Sequence, residues 1–449
     1  MTETAEITAE LARYIASAAT RPLPEEVAAK AQFHLVDTLA AIVSGRTLPA
    51  GRGILPYLET QGGTPSCSVP GTAVLTTPAL AALANGMAAH ADETDDSHAP
   101  SLTHPGCVAV PAALASAEAN GRSGRDLLIA VALGYDVGTR VSMALGGSRF
   151  ADTYHLGSHG WGGTFGATAA AAMLAGLDET ATRHALSYAV QSASGNRCWV
   201  RDRDHVQKAF QFAGIPAKQG VEAAGLAAAG LTGVGDAMEG VPGLFAAFPL
   251  TSDPALAVEE LGTRFEVMRT TIKKWTVGSP IQMALDCIHA VATEEGITEP
   301  EIADILVTLP GQRSRVAQSD MPDVNLPHAL ALYLVDGGVG FASLHDHDRM
   351  KDPEVRRVAA KVRVEARPGA ARGEQAHFTL QTTDGRRIHM EREHVRGQPA
   401  NPMTEAEIDE KALDLFGIGL GADRARPLLE ALKAVETVAD VRDLRPLWQ

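Results

Sequence analysis

From the N-terminus to about residue 265, apolar positions recur at helical spacing. Residues 5–19 put Ile7, Leu11, Tyr14 and Ile15 on one face, as in an amphipathic helix, and Pro22 and Pro24 break it. Residues 25–44 read as a second, more buried helix that ends at Gly45. Residues 46–76 are rich in Gly, Pro, Ser and Thr and read as irregular, with a short extended piece near Cys67–Val69. A third helix opens at Thr76–Thr77–Pro78, with proline in its favoured first turn, and runs to about Ala91. A fourth, over 105–118, opens at His104–Pro105–Gly106. After a turn from Gly121 to Gly124 comes a long apolar helix, 124–145, containing Asp136 and Arg140. Residues 146–163 read as a loop ending in HLGSHGWGG, which feeds an alanine helix over 164–176. Helices follow over 179–194 and 204–230, then a Gly/Pro-rich connection over 231–253.

The texture changes beyond this point. Residues 268–272 and 304–309 read as strands with a helix over 279–295 between them, and His328 to Val335 as another helix. Residues 360–366 and 375–382 alternate polar and apolar, and Asp384–Gly385 is a hairpin signal before 386–392. Thr404-x-x-Glu407 has capping-box spacing and opens a helical close. The pattern predicts a mainly α protein. A large all-helical domain takes 1–266 and 400–449, and an α+β domain takes 267–399. A cleft between two such domains is a usual place for a small-molecule site.

Composition agrees: 45% of residues are hydrophobic but only 5% aromatic, so helices pack through alanine. A net charge of −15 argues against a nucleic-acid partner or an anionic membrane surface, though not against an anionic substrate. The four cysteines are scattered without a C-x-x-C pair, which gives no support to a zinc knuckle or an iron–sulfur cluster and fits a reducing cytoplasm. The N-terminus is acidic and amphipathic rather than signal-like, and no apolar run is long enough to span a membrane without Gly or polar breaks.

Candidate chemistry concentrates in Asn85–Pro105, NGMAAHADETDDSHAPSLTHP, with Asp92, Glu93, Asp95, Asp96, His90, His98 and His104. Carboxylates and imidazoles move protons or hold metals near neutral pH. His104, at a helix N-terminus, is expected neutral and able to act as a base. Glu93, Asp95, Asp96 and Ser97 suit acid–base work or the orienting of a histidine. A divalent metal on His90, Asp92, Asp95, Asp96 and His98 is the competing reading. His155 and His159 lie in the glycine-dense loop, where backbone can approach a ligand; its GGTFG run is not a dinucleotide fingerprint. Lys208 sits in an otherwise uncharged apolar run. Lys273 and Lys274 open KKWTVGSPIQMALD, and either could hold a carboxylate. His328 is a weaker candidate. His289, His377 and His389 read as structural.

Several stretches together resemble the MmgE/PrpD family. They are HLVDTLAAIVSG, ALANGMAAHADETDDSHAPSLTHPG, SGRDLLIAVALGYDVGTRV, GGTFGATAAAAMLAGL, the Lys208 segment, KKWTVGSPIQMALD, HALALYLVDG and GQPANPMT, and they span nearly the whole chain. The resemblance implies a helical domain with a smaller α+β lid, a homodimer, and catalysis with neither metal nor organic cofactor. The family includes 2-methylcitrate dehydratase, cis-aconitate decarboxylase and iminodisuccinate epimerase. It implies catalytic roles for Glu93, Asp95, Ser97, His104, His159 and Lys208. Lys273 or Lys274, His155, Gln282 and His328 would contact the substrate. His155 is the alternative to His159. Gln282 and Gln211 stand where better-known members carry histidines, and His328 where they carry a tyrosine.

The expected function is a lyase, a dehydratase or decarboxylase, on a small di- or tricarboxylate. His104 would move the carbon-bound proton, and His159 or an acid near Asp95 would protonate the leaving hydroxyl. The lysines would hold the carboxylate on which charge develops. The alternatives are an epimerase of an imino- or amino-dicarboxylate, a metal-dependent hydrolase using the His90–His98 cluster, and a helical binding protein without activity.

Overall fold

The computed structural model describes residues 6–311, 313–370 and 376–449; Ala5 and Gln375, which begin two of the expected elements, lie outside the described residues. The protein is mainly α with a smaller α+β part. It divides into two compact units: Met1–Ala91, Asp95–Thr271 and Ile408–Gln449 in the first, and Asp92–Thr94 with Ile272–Glu407 in the second. The second unit thus takes three residues from the middle of the acidic segment.

The first unit is built around the helices Pro78–Ala89, Gly106–Asn120, Gly124–Leu145, Ser158–Leu174 and Ile215–Ala228, which pack on one another. Small residues let two of them approach closely. A Cβ at Gly166 would fall 2.5 Å from the Gly134 carbonyl oxygen, and one at Gly162 would fall 2.6 Å from that of Gly138. Ser123 and Asp126 form a capping box that starts Gly124–Leu145, answering the amides that a helix N-terminus leaves unpaired. That helix is long and apolar enough by length and composition to cross a membrane, though Gly134, Asp136, Gly138 and Arg140 interrupt it, and 94% of its most apolar window is buried inside the protein. Its apolar surface goes to the helical core. Tyr14 donates to Asp136 at 2.8 Å, and Arg140 pairs with the same carboxylate at 3.1 Å, which accounts for both buried charges.

Three local expectations change. Residues 46–76 contain short helices Pro49–Gly53 and Leu55–Glu59 and a two-stranded ladder of β1 (Cys67–Ser68) with β2 (Leu75–Thr76). The supposed loop 146–163 holds the helix Ser148–Tyr154, and the next helix begins at Ser158, ahead of its glycines. Residues 268–272 are not a strand: Glu266–Arg269 is a 3-10 turn, and Thr271 makes one isolated bridge with Ser97.

The second unit carries a four-stranded sheet of β3 (Ile302–Pro310), β4 (Val362–Arg367), β5 (His377–Thr382) and β6 (Arg387–Glu391), in the order β4-β3-β5-β6. β3 pairs parallel with β4 and antiparallel with β5, and β5–β6 is the expected hairpin with Gly385 at φ 91°. A parallel pair needs a crossover, supplied in part by the helices Leu326–Asp336 and Pro353–Ala359. Ile305, Val307 and Leu309 of β3 join Phe378, Leu380 and Leu330 in one core. Thr404 and Glu407 exchange the capping-box hydrogen bonds read from their spacing.

Candidate active site

The acidic segment does not act as one cluster. Its four carboxylates go to different partners. Asp96 is fully buried; it accepts from the Gly106 amide (3.0 Å) and the Tyr135 hydroxyl (2.6 Å), and its Oδ2 lies 2.8 Å from His34 Nδ1. It therefore answers the N-terminus of the helix that follows His104. Asp92 and Glu93 belong to the second unit. Asp95 turns into the first unit, between two imidazoles. Its Oδ2 lies 2.8 Å from His90 Nδ1 and its Oδ1 3.2 Å from His104 Nδ1. The dispersal dissolves the five-ligand metal constellation, because His98 pairs elsewhere, with Glu266 and Ser101.

Around Asp95 the first unit assembles a histidine and aromatic cluster. The ring of His104 lies 5.1 Å from that of His90 and stacks 5.3 Å from that of His159. Phe212 stacks on His159 at 3.6 Å and on His90 at 4.6 Å. His205 lies 5.1 Å from His90, and Lys208 Nζ lies 5.1 Å above the Phe212 ring and 5.8 Å from that of Trp199. His104 and His159 both line a crevice whose other walls include Thr103, Val108, Gly138 and Gly166. The helix that starts at Ser158 sets the place of His159, and the glycines behind it set how near the next helix comes.

Local backbone explains how Phe212 and Lys208 reach this cluster. Pro216 has no amide hydrogen, so the helix cannot make its ordinary bond back to residue 212 there. Phe210–Gly214 is a π-helical turn, and the Ile215 amide bonds five residues back to Phe210. Val206–Ala209 precedes it, with His205 in left-handed backbone at φ 58°. Gln211, from the same turn, donates to the Gly157 carbonyl at 3.4 Å and so ties down the approach to His159.

Burial pushes His159 well below the ordinary imidazole range, and the nearby charges of His104, His90 and Lys208 push the same way. Burial also lowers His90, against the pull of Asp95. Both rings are therefore neutral near pH 7. With the Nδ1–H of His90 aimed at Asp95, its Nε2 is left buried with no hydrogen-bond partner. Asp95 Oδ1 lies 3.2 Å from His104 Nδ1 without a hydrogen bond between them, close enough for the carboxylate to balance a charge on that ring. A histidine oriented by a carboxylate is the usual build of a general base. His90, Asp95 and Cys107 also have potential ligand atoms within 4.8 Å of one another. In the structure the Cys107 thiol donates to the His104 carbonyl at 3.1 Å, while Asp95 faces the two imidazoles.

The remaining expected residues fall elsewhere. Ser97 is engaged through its backbone in the bridge to Thr271. His155 is exposed, in left-handed backbone after Ser148–Tyr154. In the second unit, Lys273 is buried and donates to the Glu93 carbonyl at 2.7 Å, with the Glu93 carboxylate 3.9 Å away. Lys274 is partly exposed, 3.5 Å from Glu407 and over the Trp275 ring. This geometry distinguishes the two lysines: Lys273 holds the acidic segment and Lys274 does not. The Gln282 amide donates to the carbonyls of Trp275 and Val277, which commits it to its own loop. His328 is buried on Leu326–Asp336, its Nε2 without a partner, and burial lowers its imidazole to about 4. Sequence reasoning missed His205, Phe212 and Trp199. The available signal was Pro216 inside a helical run, which marks a bulge.

The MmgE/PrpD N-terminal domain family matches residues 9–257, and the MmgE/PrpD C-terminal domain family matches residues 275–437. A cis-aconitate decarboxylase-like protein of Aspergillus oryzae is 27% identical, with 98% of this chain and 97% of that protein covered. The cis-aconitate decarboxylase of Homo sapiens is 25% identical, over 95% of this chain and 91% of its own length. A cis-aconitate decarboxylase of Aspergillus terreus is 27% identical over a shorter stretch, 42% of this chain and 39% of that protein.

Proposed function

Because the chain belongs to the MmgE/PrpD family and is an enzyme of the lyase class, we propose that it removes carbon dioxide or water from a small di- or tricarboxylate by proton transfer at His104. The carrying observation is the Asp95 carboxylate set between His90 and His104 at 2.8 and 3.2 Å, beside a neutral His159. In decarboxylation the C–C bond to the departing carboxylate breaks. Its electron pair spreads into the remaining conjugated carboxylate, and His104 delivers a proton to carbon. In dehydration His104 takes the C–H proton, the electron pair forms the double bond, and the same proton leaves with the hydroxyl as water. Asp95 balances the charge that His104 carries while it holds the proton. Lys208 stabilises the charge developing on the substrate carboxylate.

The acid role expected of His159 passes to His104 in this reading. Burial keeps His159 neutral, so it is suited to hydrogen-bond the substrate and not to store an acidic proton. All of these proton transfers use groups of the chain itself, so the reading needs no metal and no organic cofactor. The carbon chemistry next to a carboxylate also connects to an epimerase, which would reprotonate the same intermediate on the other face.

The test is a panel of unsaturated, hydroxy and imino di- and tricarboxylic acids, cis-aconitate first, incubated in deuterated water and followed by NMR. Loss of carbon dioxide with deuterium placed at the carbon that held it, or loss of water from a hydroxy acid, is the expected result. Activity is expected to survive exhaustive chelation and to disappear in His104→Asn. Exchange at carbon without elimination would turn the reading to the epimerase. Chelator-sensitive turnover with stoichiometric bound metal would remove the cofactor-free mechanism.

A further inference from the structure

The reading above leaves one buried charged group of the second unit unused. His345 follows the short helix Phe341–Leu344, and its side chain is only 11% exposed. Its Nδ1 lies 2.8 Å from the Phe341 carbonyl oxygen, an acceptor only, so Nδ1 carries a hydrogen. Its Nε2 lies 2.8 Å from Asp92 Oδ2 and 3.9 Å from Asp323 Oδ2, again acceptors. Both ring nitrogens thus face oxygens that only accept, and the arrangement calls for an imidazolium. Phe341 stacks on the ring at 4.0 Å and closes one face. Asp92 and Asp323 are 2% and 1% exposed, so solvent screens this charge little.

Asp92 is the first of the three residues that the second unit takes from the acidic segment. The Asp92 carboxylate also accepts from the Thr94 amide at 3.0 Å. On the other side of the same three residues, Lys273 holds the Glu93 carbonyl at 2.7 Å. Two buried cations therefore grip a three-residue stretch, and Asp95, which pairs with His90 and lies 3.2 Å from His104, is the next residue in the chain.

We propose that His345 is a positioning residue: as an imidazolium at neutral pH it fixes Asp92, and through Asp92 the backbone that sets Glu93 and Asp95. The inference rests on the proposed role of Asp95. The clamp is pH-sensitive. The groups facing His345 are Asp92 from the acidic segment, Asp323 from the turn Pro322–Val324, and the Phe341 carbonyl of its own helix. Burial lowers the imidazole, but the hydrogen bond and charge of Asp92, the charge of Asp323 and the bond to the Phe341 carbonyl outweigh burial and raise it to about 9. The clamp is therefore intact at neutral pH and is released as pH rises through about 9; its full contribution to stability is present below pH 6.5.

The test uses the full chain. Histidine ring nitrogens are followed by NMR against pH, with His345 assigned by difference from His345→Gln. An imidazolium that persists to pH about 9 is expected, and a neutral His345 ring at pH 7 would overturn the proposal. Hydrogen exchange at the Thr94 amide is expected to speed up in His345→Gln; unchanged protection would overturn it. Neither readout needs a substrate, so a wrong assignment of the reaction does not obscure them. With a substrate in hand, His345→Gln and Asp92→Asn are each expected to lower kcat about 10- to 100-fold with little change in KM. Wild type is expected to lose activity as pH rises through about 9, and both variants are expected to lack that alkaline limb. The double variant is expected to fall no further than either single one, and additive losses would count against a shared clamp. His347→Gln, at an exposed neighbour, is the control and is expected to behave as wild type. If His345→Gln alone fails to fold, His345→Gln with Asp92→Asn removes both charges together and carries the kinetic comparison.

Discussion

Asp95 is the residue on which the candidate site turns, because one carboxylate faces two imidazoles. Asp95→Asn keeps the shape but removes the charge that balances a protonated His104, and it presents an amide that can flip toward either ring. The expected outcome is a loss of about 10²–10⁴-fold in kcat, the range of a removed acid–base function, with KM little changed. Steady-state kinetics at pH 7 decide it, and a variant within twofold of wild type would remove Asp95 from the mechanism. Lys208→Gln is expected to show the other signature, a raised KM together with a lowered kcat, since its charge serves both the bound carboxylate and the developing one. His104, Asp95 and Lys208 could be picked out from residue type and local pattern. The sorting of the four acids could not, because Asp92, Asp95 and Asp96 look alike in sequence and differ only in the partners the fold brings: His345, His104 and His34. Those three histidines are separated from the acids by chain stretches that carry no periodic signal of the pairing.

Among the elements, the pair Gly124–Leu145 and Ser158–Leu174 positions His159 by close approach. Gly166→Ala would place a methyl 2.5 Å from the Gly134 carbonyl oxygen, a backbone atom that cannot step aside as a side chain can. Overpacking of this kind costs about 1–3 kcal/mol, so a lower thermal midpoint is expected. Activity should fall beyond what the melting shift accounts for, since Gly166 also walls the crevice beside His104. A variant that melts and turns over like wild type would show that the helices have room to separate. Long helices with steady apolar spacing were readable because burial of one face dictates their period; the same holds for the β5–β6 hairpin, whose Asp384–Gly385 turn needs a positive φ. Ser158–Leu174 was read too short because its first turn is Ser-His-Gly-Trp-Gly-Gly, of low helix propensity, and tertiary packing overrides it. The stretch 268–272 departs from the expected strand for the converse reason. Thr-Thr-Ile favours a strand, but these residues find no ladder beyond the one bridge to Ser97.

Across the whole molecule, buried histidines set opposing slopes of stability against pH. Burial lowers His34 to about 4, and also lowers His90, His159 and His328. These rings take up protons near pH 6.5 when the chain unfolds but resist them when folded. Below pH 6.5 the unfolded state thus binds more protons, and stability falls as pH drops toward 4. His345 works in the other direction. Raised to about 9, it contributes fully below pH 6.5 and loses that contribution between 6.5 and 9. Among these five histidines four pull on the acid side and one on the alkaline side, so their combined effect is steeper on the acid flank. The expected thermal midpoint is highest near pH 6.5, falls sharply toward pH 4 and falls gently toward pH 9. In His345→Gln the gentle alkaline fall should flatten while the acid flank keeps its slope. Thermal unfolding from pH 4 to 9.5 in a constant-ionic-strength buffer measures all of this. A maximum above pH 8, or an alkaline flank steeper than the acid one, would mean that the buried imidazoles are not neutral and His345 is not the charged exception.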